Sequence, residues 1–253
     1  MYRALVTDMD GTLLRDDKTI SKFNKEMITK IKDEKKIILA SARGLYSLDR
    51  YLEELGLLNR KDQYTIAFNG SYIIRNDHEV LYDAHIDLKA ARYLIIYLLV
   101  NAPELEVFIY NKDGIKSLRD INDLDSYLKA THIYKIGARG MTDSVLKWRH
   151  NLPKEIYDYM EVTNSDLYSF ECVTKGMTKC EGLKKLCSIL DIRAEEVIAC
   201  GDGENDVEMI EYAGLGVAMA NGLEILKKRA DYISSSNNDD GVGKVIERFM
   251  LDR

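Results

Sequence analysis

Two short acidic clusters near opposite ends of the chain hold the residues best suited to chemistry: Asp8-Met9-Asp10-Gly11-Thr12 and Gly201-Asp202-Gly203-Glu204-Asn205-Asp206. Asp8 and Asp10 flank a single residue, so at the end of an extended strand they point the same way. A carboxylate can attack phosphorus and form an aspartyl-phosphate, dividing one hard displacement into two easier ones. A second carboxylate two residues on can protonate the leaving alcohol and later deprotonate the attacking water. Gly11 permits the chain to turn there. The plainer alternative is a turn or helix cap, because Asp-Gly is common in turns.

Each cluster follows a short apolar run, Ala4-Leu5-Val6 before the first and Val197-Ile198-Ala199 before the second. Two buried strands therefore end in carboxylates, and in open α/β sheets ligands gather at such carboxyl ends. Several carboxylates meeting there repel one another unless a hard cation or phosphate chemistry holds them. Phosphate monoester hydrolysis demands acceleration of up to about 10²¹-fold, which a nucleophile alone does not supply. Charge on the equatorial oxygens must be met by cations and fixed dipoles. Ser41 and Arg43, after a second strand, offer a hydroxyl and a guanidinium to phosphate oxygens. Lys179, at the start of a helix, is a cation able to reach both the phosphoryl group and Asp8. Asp202, Asn205 and Asp206 suit a magnesium site, since magnesium takes oxygen ligands. Each of these alone is an ordinary surface feature; their order and placement carry the reading.

The elements that must position these residues alternate in the first third. A strand at Ala4–Thr7 precedes a helix with Phe23, Met27 and Ile31 on one face and Ser21 as its cap. A strand at 37–40, a helix with Leu48, Leu52 and Leu55 stopped by Gly56, and a strand at 64–68 follow. This βαβα order predicts a parallel sheet with helices on both faces. The middle differs. A helix at 88–100 ends before Pro103, and strands at 107–110 and 115–118 flank the hairpin signal Asn111-Lys112-Asp113-Gly114. A strand at 133–138 and a helix around 144–149, with the only tryptophan, Trp148, come next. Strands at 160–163 and 167–173 flank Asn164-Ser165-Asp166, read as a second hairpin turn. Alternation then resumes with a helix bearing Leu183, Leu186, Cys187 and Leu190, a strand at 197–200, short elements near 217–219 and 232–233, and a closing helix at 241–250. The expectation is an α/β host at 1–82 and 178–253 with an inserted α+β cap at 83–177. Cap aromatics Tyr110, Tyr134 and Tyr168 either contact the organic part of a substrate or pack on the cap sheet.

The chain has 253 residues, 46% apolar and 31% charged, which is ordinary for a globular protein with a large core. A net charge of −6 leaves no electrostatic footprint for nucleic acid or an anionic membrane. Lys35-Lys36 and Lys227-Lys228-Arg229 lie among acids and read as solvated helix faces. The four cysteines form no CxxC pair and no zinc spacing, so reduced thiols are expected. The chain opens without a signal-peptide pattern, and its longest apolar stretch, 93–100, is too short to span a bilayer. A soluble, cytoplasmic protein is expected, which excludes membrane pumps that use aspartyl-phosphate chemistry.

With these residues in view, the chain resembles the haloacid dehalogenase-like (HAD) superfamily, and within it the Cof-type phosphatases with a type IIB cap. Asp8-Met9-Asp10-Gly11-Thr12-Leu13-Leu14 is similar to the first family motif, Ala40-Ser41-Ala42-Arg43 to the second, the segment from Thr174 to Lys179 to the third, and residues 201–206 to the fourth. Phe68-Asn69-Gly70, the stretch from Gly216 to Asn221 and the stretch from Asn238 to Val242 also resemble this family. The resemblance covers the whole host, while the cap matches in length and pattern. It implies a Rossmann-like parallel core, Asp8 as nucleophile, Asp10 as acid/base, Ser41 binding phosphate, and Lys179 as the third-motif lysine; Lys175 is a rival for that role, but the start of the helix favours Lys179. It further implies Mg2+ held by Asp8, the Asp10 carbonyl and Asp202, with Asn205 and Asp206 close by. Ala42 departs from the glycine common in relatives, which matters if that position needs a positive φ. The implied activity is hydrolysis of small phosphate esters, sugar phosphates above all, by a monomer or homodimer whose cap acts as a lid. A phosphosugar mutase and a non-catalytic phosphometabolite sensor are the alternatives. Asp10 argues against a dehalogenase, whose chemistry needs no acid/base there.

Overall fold

The computed structural model describes residues 1–118 and 124–251, which gather into two compact units. The first comprises Met1–Arg43, Ser47–Asp83 and Thr178–Arg253; the second comprises Ala84–Met177 with Gly44–Tyr46.

In the first unit, β1 (Ala4–Thr7) is wholly buried, as a strand covered on both faces must be. It pairs in parallel with β2 (Lys36–Ala40), which pairs with β3 (Tyr64–Ala67). On its other side β1 pairs in parallel with β11 (Val197–Gly201), followed by β12 (Leu215–Ala218) and β13 (Tyr232–Ile233). Beyond β3 the sheet continues with two antiparallel strands that the sequence reading did not anticipate, β4 (Tyr72–Arg75) and β5 (Val80–Asp83). The order is β13-β12-β11-β1-β2-β3-β4-β5. The chain leaves β1 toward β2 on one side and returns to it as β11 on the other, so their carboxyl ends form a topological switch point, the place where open α/β sheets bind ligands.

Ala4 and Val6 face a core cluster completed by Leu183, Leu186 and Cys187 of α6 (Lys179–Leu190) and by Met209 and Ile210 of α7 (Val207–Tyr212). Alternation sends Leu5 to the other face. There α1 (Lys22–Ile31) packs against α9 (Gly241–Phe249), and the Gly243 N–H donates to Asn24 Oδ1 at 2.8 Å. Ser21 caps α1 as expected, accepting from the Asn24 N–H at 3.0 Å. The helix with Leu52 is short, α2 (Asp49–Glu54), and Gly56 just past it has φ of 64°.

The second unit contains an antiparallel sheet of β6 (Glu106–Asn111), β7 (Gly114–Leu118), β8 (Lys135–Arg139), β9 (Met160–Asp166) and β10 (Ser169–Thr174). Their order is β7-β6-β8-β10-β9. The first hairpin turns at Lys112-Asp113, as its sequence predicts. The second does not turn at Asn164-Ser165-Asp166: β9 runs through those residues and the turn falls at Leu167-Tyr168. Because β9 is an edge strand, polar residues are tolerated there, and they mimic a turn in the sequence. Val107, Ile109, Ile136, Ala138 and Phe170 face Leu94, Ile95 and Leu98 of α3 (Leu88–Asn101), with Leu124 and Leu128 of α4 (Leu124–Ala130) and Val145 of α5 (Thr142–His150). On the opposite face the Tyr110 ring covers Gly137, where a Cβ would come within 3.1 Å of it. Tyr134 is buried and Tyr168 is exposed. The remaining helix, α8 (Glu224–Lys227), belongs to the first unit. Among the described residues no helix is long and apolar enough to cross a membrane. All four cysteines are buried free thiols, and burial pushes Cys172 and Cys200 up to about 12, which leaves them unreactive.

Candidate active site

The residue after β1 is Asp8, and its N–H continues the ladder by donating to Cys200 O at 3.0 Å. Sheet pairing thus sets the nucleophile candidate beside the start of the 201–206 loop. Gly11, with φ of 79°, turns the chain away; a Cβ there would collide with the Asp202 carboxylate. The same approach brings the Thr12 hydroxyl to Asp202 Oδ1, to which it donates at 2.7 Å.

Lys179 is the first residue of α6, whose N-cap is Thr178; the Thr178 hydroxyl accepts from the Glu181 N–H at 3.2 Å and donates to Glu208 Oε2 at 2.9 Å. From this fixed start its side chain, 1% exposed, donates to Asp8 Oδ1 and to Asp206 Oδ1, both at 2.6 Å. Asp206 uses its other oxygen to accept from the Asp202 and Gly203 N–H groups, each at 3.0 Å. With three hydrogen bonds accepted, Asp206 is positioned chiefly to fix Lys179 and the loop. Lys175, the rival, instead donates to Tyr157 O in the second unit.

Ligand oxygens of Asp8, Asp202 and Asp206 all lie within 4.8 Å of one another. Three carboxylates face one buried ammonium, so full ionisation leaves an excess of negative charge. Burial pushes the Asp8 carboxyl up to about 7; Lys179 pulls it back and the Asp206 charge raises it further. Burial also raises Asp202, with Thr12 opposing. Burial opposes the charge on Lys179, yet Asp206 and Asp8 outweigh it and hold the lysine above its ordinary value. An all-oxygen donor set with uncompensated charge fits a hard divalent cation.

Asp10 is arranged differently. Its carboxylate is gripped by Arg43, Nε to Oδ2 and Nη2 to Oδ1 at 2.6 Å each, and by Lys18 Nζ to Oδ1 at 2.8 Å. Partial burial would raise its pKa, but the Arg43 and Lys18 hydrogen bonds prevail and hold it below the usual range. Lys18 has φ of 64°, and its carbonyl accepts from the Tyr51 hydroxyl at 3.1 Å. Ser41 is buried at the end of β2, and its hydroxyl accepts from the Arg43 N–H at 3.2 Å. Ala42 does not have a positive φ, so alanine fits there without strain. Among the described residues, Ser41 and Asn205 make no hydrogen bond to the Asp8 cluster; Asn205 Nδ2 donates to Asn69 Oδ1 at 3.1 Å. The sequence does not by itself mark Thr12, Lys18 or Asn69 as site residues. Thr12 lies inside a motif, whereas nothing in sequence marks Lys18, whose reach depends on the loop conformation.

A family model for haloacid dehalogenase-like hydrolases matches residues 5–246. The chain belongs to the haloacid dehalogenase-like hydrolases. The Bacillus subtilis protein named 5-amino-6-(5-phospho-D-ribitylamino)uracil phosphatase YcsE is 28% identical over 98% of this chain and 96% of its own. A haloacid dehalogenase-like hydrolase from Bacteroides thetaiotaomicron is similar in structure, with a TM-score of 0.88 and 29% identity over 99% of this chain and 100% of that one. The protein TM0651 from Thermotoga maritima is similar to the same degree, with a TM-score of 0.88 and 28% identity over 100% and 99% of the two chains. The family resemblance and fold class expected from the sequence are borne out.

Proposed function

We propose that this hydrolase is a magnesium-dependent phosphomonoesterase acting on small phosphorylated metabolites, sugar phosphates in particular, through an aspartyl-phosphate on Asp8. The observation that carries this reading is the buried Lys179 paired with Asp8 and Asp206 beside Asp202. Asp8 attacks phosphorus, an Asp8 O–P bond forms, and the ester P–O bond breaks. Asp10 gives its proton to the departing alcohol oxygen, then takes one from the water that cleaves the aspartyl-phosphate and releases inorganic phosphate. The grip of Arg43 and Lys18 suits the ionised Asp10 of the second step. In the first step an arriving phosphate dianion competes with Asp10 for Arg43 and frees the carboxyl to carry a proton. Ser41, Arg43 and Asn205 take the phosphoryl oxygens, and Lys179 holds Asp8 in place. Asp8, the Asp10 carbonyl and Asp202 would hold Mg2+, with Asp206 behind them; the ion supplies positive charge against the transferring phosphoryl group.

The first unit is the catalytic core in this reading, and the 83–177 insert is a lid over substrate. The substrate class is supported by the relative YcsE, whose name describes a phosphate on a ribityl chain, chemically close to a sugar phosphate. The test is phosphate release from a panel of sugar phosphates, the phosphoribitylaminouracil ester and p-nitrophenyl phosphate, with magnesium or chelator. Wild type should turn over at least one ester only with metal, and Asp8→Asn should lose roughly 10⁴-fold or more in kcat. Equal rates in Asp8→Asn and wild type would overturn the nucleophile assignment.

A further inference from the structure

Between β3 and β4 the chain passes through three consecutive residues of positive φ: Phe68 at 50°, Asn69 at 53° and Gly70 at 98°. Glycine accepts this freely and asparagine tolerates it, but a bulky, buried phenylalanine does not adopt it without cause. Strained backbone of this kind concentrates at functional sites. Here the strain is matched by what the turn holds. The Phe68 N–H donates to Arg43 O at 3.0 Å and the Asn69 N–H to Ser41 O at 2.9 Å, so the loop carrying Ser41 and Arg43 hangs on this turn. Gly70 lies against the start of α6: a Cβ on Gly182 would come within 2.7 Å of Gly70 Cα, and one on Gly70 would run into the carbonyl of Thr178, the residue before Lys179. The Asn69 side chain then reaches the third segment, accepting from Asn205 Nδ2.

We propose that Asn69 is a positioning residue that holds the Asn205 amide toward the phosphoryl group and sets its spacing from Ser41 and Arg43. Asparagine suits the position for two reasons at once. It accepts a left-handed backbone, and it presents an amide oxygen to a neighbouring amide. The inference rests on the reading of Asn205 as a phosphoryl ligand.

A double-mutant cycle on the full-length protein tests it. Asn69→Gly keeps the backbone and removes the amide, Asn205→Ala removes its partner, and the pair is combined. The readouts are kcat and KM for the best ester found, and calorimetric binding of orthovanadate with magnesium, which needs no turnover. Thermal melting checks that each variant folds. The expected result is a loss of about 5- to 20-fold in vanadate affinity and in kcat/KM for Asn69→Gly, mainly through KM, that shrinks to under about twofold in the Asn205→Ala background. A turn that serves only the β3–β4 connection would leave vanadate binding unmoved in Asn69→Gly, and that outcome overturns the proposal. Independent, multiplying losses would do so as well. A silent Asn205→Ala beside a dead Asp8→Asn would remove the proposal while leaving the hydrolase reading intact. Coupled vanadate binding in a protein that hydrolyses no ester would leave the proposal standing and remove the hydrolase reading.

Discussion

Both units bury a lysine against a carboxylate, and the two pairs are built to different ends. Lys135, on a central strand of the second unit, reaches Glu171 Oε1 at 2.9 Å across the sheet, with its Nζ 4.4 Å from the centroid of the Tyr110 ring. One cation meets one anion on neighbouring strands, and the charge is closed. Lys179 meets two carboxylates drawn from distant parts of the chain, with a third beside them. There the carboxylates outnumber the cation that meets them. A neutral pair serves structure, whereas a cluster with surplus charge is poised for a ligand.

Removing each lysine in turn should separate the two arrangements most sharply. Lys179→Met leaves Asp8 and Asp206 buried without their counter-ion, so unfolding free energy should fall by about 3–5 kcal/mol and phosphate release should vanish. Lys135→Met should cost less, about 1–3 kcal/mol, and adding Glu171→Leu should restore most of it, because a closed pair is replaceable by apolar packing. Denaturant melts of the three variants read both. If the Glu171→Leu partner change failed to restore stability, the pair in the second unit would need a role beyond structure.

The pH response should separate the units as well. Burial raises Asp8 to about 7, above its value in the unfolded chain. The stability Asp8 contributes is therefore present below about pH 4 and is lost as pH rises through about 7. In metal-free protein, the stability of wild type relative to Asp8→Asn should decline between about pH 4 and about pH 7 and level off above it. Magnesium needs the ionised carboxylates, so its affinity should climb over the same interval and level off above it. A calorimetric affinity that did not change with pH would contradict the raised Asp8. The smallest effect expected is that of Thr12→Val, which deletes one hydrogen bond to Asp202 and should cost about 1 kcal/mol, with a weaker hold on magnesium.

β1 and β11 were legible because short apolar runs ended in acids, and β2 because its apolar run led into Ser41 and Arg43; strand pairing then brought those ends together. Lys179 was legible over Lys175 because a helix start fixes a side chain's origin. β4 and β5 were not, since Tyr72–Arg75 and Val80–Asp83 are short and the second is largely exposed, without a marked alternation. The Asn164-Ser165-Asp166 turn was misread because an edge strand permits turn-like residues. Lys18 and Asn69 escaped for a deeper reason. Each depends on a left-handed backbone at a non-glycine residue, which composition does not announce.

The central place of β1 has a consequence for how the protein is made. Its partner β2 follows soon after it, but β11 is translated only after the whole stretch Ala84–Met177. On the ribosome the later segment, continuous in the chain, has all five of its strands before β1 acquires its second neighbour. Pairings this distant in sequence close late and slowly. Asp8 therefore waits for Lys179, which follows it by 171 residues, and for Asp202 and Asp206 beyond that.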